Sequence, residues 1–156
     1  MHQTKKGNQW YLGMKARLGV DSRSKLIHAA VATPANVADG TVLPLLLHGN
    51  EIRVWGDQAY RGQRAVIRQH APRARDFAHR RYRFCGVVDA VERAKNRTKS
   101  KMRAKVEPPI GIIKRVFGFA KVRYRGLKKN AHRLIVTCAM ANLFTARRHL
   151  LRCQGA

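Results

Sequence analysis

A mixed α/β domain is the fold class that this sequence predicts. Residues 10–20 alternate in side-chain character with period two, the mark of a half-buried strand. The segments around them read in the order strand, strand, helix, strand, helix, which is the pattern of an α/β or α+β sheet domain. From residue 106 onward apolar residues recur at helical spacing instead, so the chain closes in helices.

In the first strand Trp10, Leu12, Met14, Ala16, Leu18 and Val20 fall on one side, and Tyr11, Gly13, Lys15, Arg17 and Gly19 on the other. Asp21-Ser22-Arg23-Ser24 is turn chemistry. Residues 26–33, rich in small and branched side chains, return as a second strand and complete a hairpin over 9–33. Thr33-Pro34-Ala35-Asn36 breaks the pattern. A helix is expected over 37–47, with Asn36 as cap and Gly49 as stop, although Pro44 lies inside it. Ile52-Arg53-Val54-Trp55 makes a short strand over 52–56 that runs into Gly56-Asp57, and a helix over 62–70 follows.

Residues 71–105 are dense in Arg and Lys and weakly patterned. They read as a basic insertion made of loop, irregular structure or a solvated basic helix, with one or two helical turns over 87–94. Val106, Ile110, Ile113 and Phe117 recur at spacings of four, three and four, the apolar stripe of a helix that opens a helical part over 106–153. Gly118 ends or loosens that helix, and 121–126 is short, basic and extended. A final helix over 131–148 carries Leu134, Ile135, Cys138, Ala139, Ala141 and Leu143, a surface broad enough that most of it should be buried.

The chain has 156 residues, 45% of them hydrophobic, which is enough for one compact domain with a core. Its formal net charge is +25, from 33 Lys and Arg against 8 Asp and Glu. A polyanion is the natural partner of such a balance, because neutralising phosphates releases their counterions. A spread of arginine over the surface of a basic proteome would give the same count. No stretch approaches the roughly 20 apolar residues of a membrane span, and no signal-peptide pattern opens the chain. The three cysteines, Cys85, Cys138 and Cys153, form no Cys-x-x-Cys pair and no zinc spacing, so they read as core filler or spare thiols of a reducing compartment.

Acidic residues in so basic a chain are few enough to weigh singly. Asp21 suits a hairpin tip, Asp39 a helix first turn and Glu51 a loop, while Asp76, Asp89 and Glu92 lie among arginines as local charge partners. Asp57 differs, because it follows a glycine at the end of an apolar strand, where ligands bind in α/β folds. The same position would equally serve as a helix cap or turn residue in Gly-Asp-Gln-Ala-Tyr. Glu107 precedes Pro108 at the start of the apolar-striped helix. Its position also suits a first-turn Glu favoured by the helix dipole. If that helix reached back to Arg103, then Arg103, Glu107 and Lys114 would share one face. The seven histidines are scattered, and no nucleophile elbow, P-loop or dinucleotide fingerprint occurs.

Several longer stretches are more specific. They are His2-Gln3-Thr4-Lys5-Lys6-Gly7-Asn8-Gln9-Trp10-Tyr11, Gly13-Met14-Lys15, Gly19-Val20-Asp21 and Thr33-Pro34-Ala35-Asn36-Val37-Ala38-Asp39. Further on come Gly56-Asp57-Gln58-Ala59-Tyr60-Arg61-Gly62, Arg103-Ala104-Lys105-Val106-Glu107 and Ile113-Lys114-Arg115-Val116-Phe117-Gly118. Lys121-Val122-Arg123-Tyr124-Arg125-Gly126-Leu127 and Ala141-Asn142-Leu143 complete the series. In this order they resemble the DDE transposases of bacterial insertion sequences, of the IS4-like kind and nearest to the insertion-sequence-five group. The resemblance covers nearly the whole chain.

The resemblance implies a ribonuclease-H-like mixed sheet flanked by helices, in which three carboxylates hold two Mg2+ or Mn2+ ions about 4 Å apart for phosphoryl transfer on DNA. The family's second Asp, in a Gly-Asp-x-x-Tyr context, matches Asp57 with Tyr60. Its Glu, in a Tyr-x2-Arg-x3-Glu-x6-Lys signature, matches Glu107 with Arg103 and Lys114; Ser100 stands where the signature has Tyr. Arg103, Lys114, Lys121, Arg123 and Arg125 are then expected to meet DNA phosphates. The family's first Asp lies upstream of the region resembling residues 1–8, so the chain is expected to be the C-terminal part of such a domain, lacking its first strand. DNA, and a second copy or an upstream transposase half, are the partners implied, in a bacterial cytoplasm near the nucleoid. A chain so placed is expected to bind DNA while being inactive or weak. A non-catalytic basic nucleic-acid-binding protein, or a truncated regulator of transposition, would explain the charge without Asp57 and Glu107.

Overall fold

The computed structural model describes residues 2–6 and 8–154. It is a mixed α/β chain of small sheets and helices, divided into two compact units where length alone suggests one. The first unit comprises residues 1–37 and 106–156, and the second residues 38–105.

The first unit is a three-stranded antiparallel meander covered by helices. Strands β1 (His2–Lys6), β2 (Gln9–Val20) and β3 (Ile27–Pro34) pair in the order β1-β2-β3. The β1 strand was not foreseen, because His-Gln-Thr-Lys-Lys has no apolar alternation; it is pinned in register to β2, from His2 opposite Gly13 to Lys6 opposite Gln9. The side-chain directions expected of Trp10 and Leu12 lie outside the described residues. Asp21 closes the β2–β3 turn, its carboxylate accepting from the backbone N–H of Arg23 and Ser24 and from the Ser24 hydroxyl. Those hydrogen bonds, Ser24 first, lower the carboxyl pKa of Asp21.

Helices α3 (Glu107–Arg115) and α4 (Leu127–Gln154) pack with this sheet. The core is Ile27, Ile113, Leu134, Cys138 and Ala141, flanked by Leu18, Val20, Ala30, Ala32, Ile112, Phe117 and Phe119. On α4 the buried stripe is therefore narrower than its sequence suggests. Leu134, Cys138 and Ala141 are buried, whereas Ile135 and Leu143 are 54% and 56% exposed and Ala139 is also exposed. Asn142 ties α4 to β3: its carboxamide accepts from the Ile27 N–H and donates to the Ile27 carbonyl, both at 2.8 Å. Burial pushes the Cys138 thiol up to about 11, while Cys85 and Cys153 are exposed.

In the second unit the helix expected over 37–47 is a 3-10 segment, Gly40–Leu46. Asp39, not the expected Asn36, stands at its N-cap without a side-chain cap hydrogen bond, and Pro44 inside it cannot donate a backbone hydrogen bond. Val42, Leu43 and Leu46 are nevertheless buried. Strand β4 is shorter than the expected 52–56, covering Arg53–Val54, and pairs in parallel with β5 (Arg75–Asp76). Between them α1 (Arg64–His70) buries Ile67. A small hairpin, β6 (Arg83–Phe84) with β7 (Val87–Val88), turns at Cys85 and Gly86, both at positive φ. Helix α2 (Ala90–Arg103) gives most of the second half of 71–105 the basic helix that was one of the three alternatives for this segment, and it is longer than the one or two turns expected over 87–94. Asp89 caps it by accepting from the Glu92 N–H, and its last turn carries Lys101 and Arg103, which suit the helix dipole. Its buried positions, Glu92 and Asn96, are polar. A helix whose inner face is polar leaves no apolar stripe for a sequence reading to find.

Candidate functional site

The second unit places Asp57 at the carboxyl end of the parallel pair. Beyond the two paired residues the strands stay in step: Ile52, Val54 and Gly56 carbonyls accept from Arg75, Phe77 and His79 N–H groups at 2.9, 2.8 and 3.1 Å. Trp55 stacks on Phe77 with ring centroids 5.7 Å apart, which holds the two segments together beside the site. Gly56 is buried, and a Cβ there would stand 3.0 Å from the Tyr60 ring. The glycine is thus a space requirement, since Tyr60 folds back over it. Asp57 then caps the 3-10 turn Gln58–Tyr60, its Oδ1 accepting from the Ala59 N–H at 3.0 Å. The Gly-Asp-x-x-Tyr pattern is one geometrical unit in this chain.

The Asp57 side chain is 45% exposed, and its Oδ2 lies 3.7 Å from Arg103 Nη1. The turn-residue reading of Asp57 is therefore met, since it caps the Gln58–Tyr60 turn, and its place just beyond the parallel pair is the one its ligand-binding reading started from. Arg103, expected only as a phosphate contact, is placed beside the carboxylate and remains 46% exposed. An ion pair so exposed contributes little stability, so it orients the two groups more than it binds the fold.

Around this pair α2 presents a row of polar side chains to residues 78–80. Asn96 clasps Arg80, accepting from its N–H at 3.2 Å and donating to its carbonyl at 2.7 Å. Lys99 donates to the Ala78 carbonyl at 3.2 Å and pairs with Glu92 at 3.5 Å. Ser100 Oγ meets His79 Nε2 at 3.3 Å. Asn96, Lys99, Ser100 and Arg103 recur at helical spacing, so one face of α2 supplies all four contacts. Ser100, which replaces the signature Tyr, thus has a definite partner. His79 was missed from sequence, where it is one histidine among seven. Its pKa is lowered by partial burial first, then by the charges of Arg103 and Lys99, with Asp57 opposing them. Burial and the cationic surrounding disfavour the protonated imidazole.

The first unit carries the other expected residues. Glu107 is the first residue of α3 and is exposed. Pro108 and Pro109 follow it in the first turn, where a missing N–H costs nothing, so the prolines start the helix rather than distort it. A 3-10 turn, Ala104–Val106, lies between Arg103 and Glu107, so α2 and α3 are not one uninterrupted α-helix as the shared-face expectation required. Lys114 is exposed in the last turn of α3, and Lys121, Arg123 and Arg125 are exposed in the loop before α4.

A divalent ion suits these carboxylates in kind, since hard cations take oxygen donors. In number the fit is incomplete: among the described residues no three His, Cys, Asp or Glu side chains gather to hold an ion. Among the described residues, too, no helix is long and apolar enough to cross a membrane. In comparisons with known proteins, the family described as "Transposase DDE domain" matches residues 1–143. No solved structure matches the chain.

Proposed function

The chain belongs to the transposase DDE domain family, and from that premise we propose that it takes part in metal-dependent cleavage and transfer of DNA strands. Members of this family generally use divalent metal ions and act on DNA. The domain match over residues 1–143 carries the reading. Asp57, at the carboxyl end of a parallel strand pair with its carboxylate half-exposed, supports it from the side of geometry.

In this proposal Asp57 and Glu107 are metal-binding carboxylates of an IS4-like, ribonuclease-H-like active site. Bound Mg2+ or Mn2+ would activate the nucleophile and stabilise the leaving oxygen. The protein's own contributions are simpler. The Asp57 carboxylate is held in one orientation by the Ala59 N–H and Arg103. Arg103, Lys114, Lys121, Arg123 and Arg125 hold phosphates, which gives affinity rather than sequence choice. A net charge of +25 makes that affinity strongly salt-dependent. Partners would be DNA and a second subunit or further transposase segment, at the nucleoid.

Two carboxylates, Asp57 and Glu107, are assigned in this proposal, and two alone would hold a pair of divalent ions poorly. We expect this polypeptide to bind duplex DNA and to cleave it weakly. The measurement is magnesium-dependent nicking of supercoiled DNA by the purified chain, beside Asp57→Ala and Glu107→Ala. Weak nicking that both variants abolish, with binding retained, is the expected result. Robust nicking lost in Asp57→Ala would overturn the claim of weakness while keeping the site. Binding without any dependence of nicking on either carboxylate would favour a non-catalytic nucleic-acid-binding protein or a regulator of transposition.

A further inference from the structure

The loop from Val116 to Gly126, between α3 and α4, holds two aromatic rings that are treated differently. Phe119 is half-buried, and the Arg133 guanidinium covers its ring at 4.8 Å. Tyr124 is 47% exposed, and among the described residues its ring makes no stacking or cation–π contact. Every residue from 121 to 126 is exposed, and Lys121, Arg123 and Arg125 alternate along it with Val122 and Tyr124.

Exposure here does not come from a slack backbone. Asn130, in the first turn of α4 and only 4% exposed, spends its whole carboxamide on this loop. Its Oδ1 accepts from the N–H groups of Arg123 and Tyr124, each at 3.3 Å. Its Nδ2 donates to the carbonyls of Tyr124 and Gly126 at 2.6 and 2.7 Å. Arg133 donates to the carbonyls of Lys121 and Gly118 at 3.2 and 3.1 Å. Both backbone polar groups of Tyr124 are thus fixed, and the ring is held out to solvent on a preorganised support between cations. An aromatic ring so placed offers a face on which a base can stack, while cations at either side hold the backbone phosphates. Paired bases within a duplex offer no free face, so the occupant must be unpaired.

We propose that Tyr124 is a stacking platform for an unpaired nucleobase of the DNA substrate, with Arg123 and Arg125 on the flanking phosphates and Asn130 as the positioning residue beneath. The proposal rests on the DNA-acting reading above and adds to it a subsite for single-stranded or locally opened DNA.

The test compares fluorescence-anisotropy titrations of a single-stranded oligonucleotide carrying 2-aminopurine and of the same sequence as duplex. The proteins are the wild-type chain, Tyr124→Ala and Tyr124→Trp. The expected result is that Tyr124→Ala weakens single-strand binding roughly ten- to a hundredfold, the range that loss of one stacked base produces. Duplex binding, governed by phosphate contacts, should change by less than about twofold. Wild type should quench 2-aminopurine, Tyr124→Ala should not, and Tyr124→Trp should restore both quenching and affinity. Unchanged single-strand binding in Tyr124→Ala, or equal loss on both DNA forms, overturns the stacking site. A wild-type chain that binds neither DNA form overturns the DNA-acting reading itself and is recognised from the wild-type titration alone.

Discussion

Helix α4 meets its sheet through Leu134, Cys138 and Ala141, and α2 meets its neighbours through Asn96, Lys99 and Ser100. These two helices are therefore held by different forces, although the second unit has its own buried Val42, Leu43, Leu46 and Ile67. In one, apolar area leaves water and contacts are interchangeable among residues of similar volume. In the other, side-chain donors and acceptors engage particular backbone groups, and each contact has a single correct partner. The Asp57 neighbourhood lies beside the second kind of contact. Polar docking places Arg103 beside the Asp57 carboxylate and Ser100 beside His79, and an apolar interface would leave those groups without orientation.

The contrast can be broken most severely at Leu134, which is 1% exposed. Leu134→Ala should cost about 2–5 kcal/mol, through lost transfer energy and a residual cavity. Urea unfolding followed by circular dichroism measures it, and a loss below about 1 kcal/mol would mean that the apolar core of the first unit does not carry its stability. Asn96→Ala is the corresponding cut in the polar contact of α2. It leaves the Arg80 N–H and carbonyl without their partner and should cost about 1–3 kcal/mol. Hydrogen exchange sharpens this one, since the Arg80 amide should lose protection while amides of α4 keep theirs. Equal deprotection of both would show that the α2 and α4 contacts do not differ in the way described.

The smallest effect concerns pH. The His79 pKa is lowered in the folded chain from its ordinary 6.5, so the unfolded state takes up the proton more readily. Stability from this group is complete above the unfolded value and declines as pH falls below it. His79→Gln should flatten the fall in urea midpoint between about pH 7 and pH 5, the range in which an ordinary histidine titrates. An unaltered slope in the variant would mean that burial and the Arg103 and Lys99 charges do not hold the His79 pKa below its ordinary value.

How much could be read from sequence follows the same division. Strand β2 was legible from its period-two alternation, although the sides are not segregated by burial, since Arg17 is 6% exposed and Ala16 lies exposed; the helical stripe from Val106 to Phe117 brings Ile113 and Phe117 to the core. Asp57 and Glu107 stood out by resemblance and position. Helix α2 was legible only as one alternative among three, because Glu92 and Asn96 face inward, which inverts the usual code. His79 was illegible because its partners, Ser100 and Arg103, lie more than 20 residues away in the sequence. Tyr60 gains its meaning only once its ring is seen against Gly56. Ile135 and Leu143 erred in the opposite sense, being apolar on a helix that is covered along one stripe alone.

The three cysteines form a natural reporter of this divided architecture. With its thiol buried among Ile27, Ile113 and Leu134 and its pKa raised to about 11, Cys138 offers almost no thiolate to an alkylating reagent. Cys85 and Cys153 stand in solvent and would be modified at once. The slow third equivalent of label would then time the breathing of the sheet-and-helix core, with no probe introduced and no residue changed.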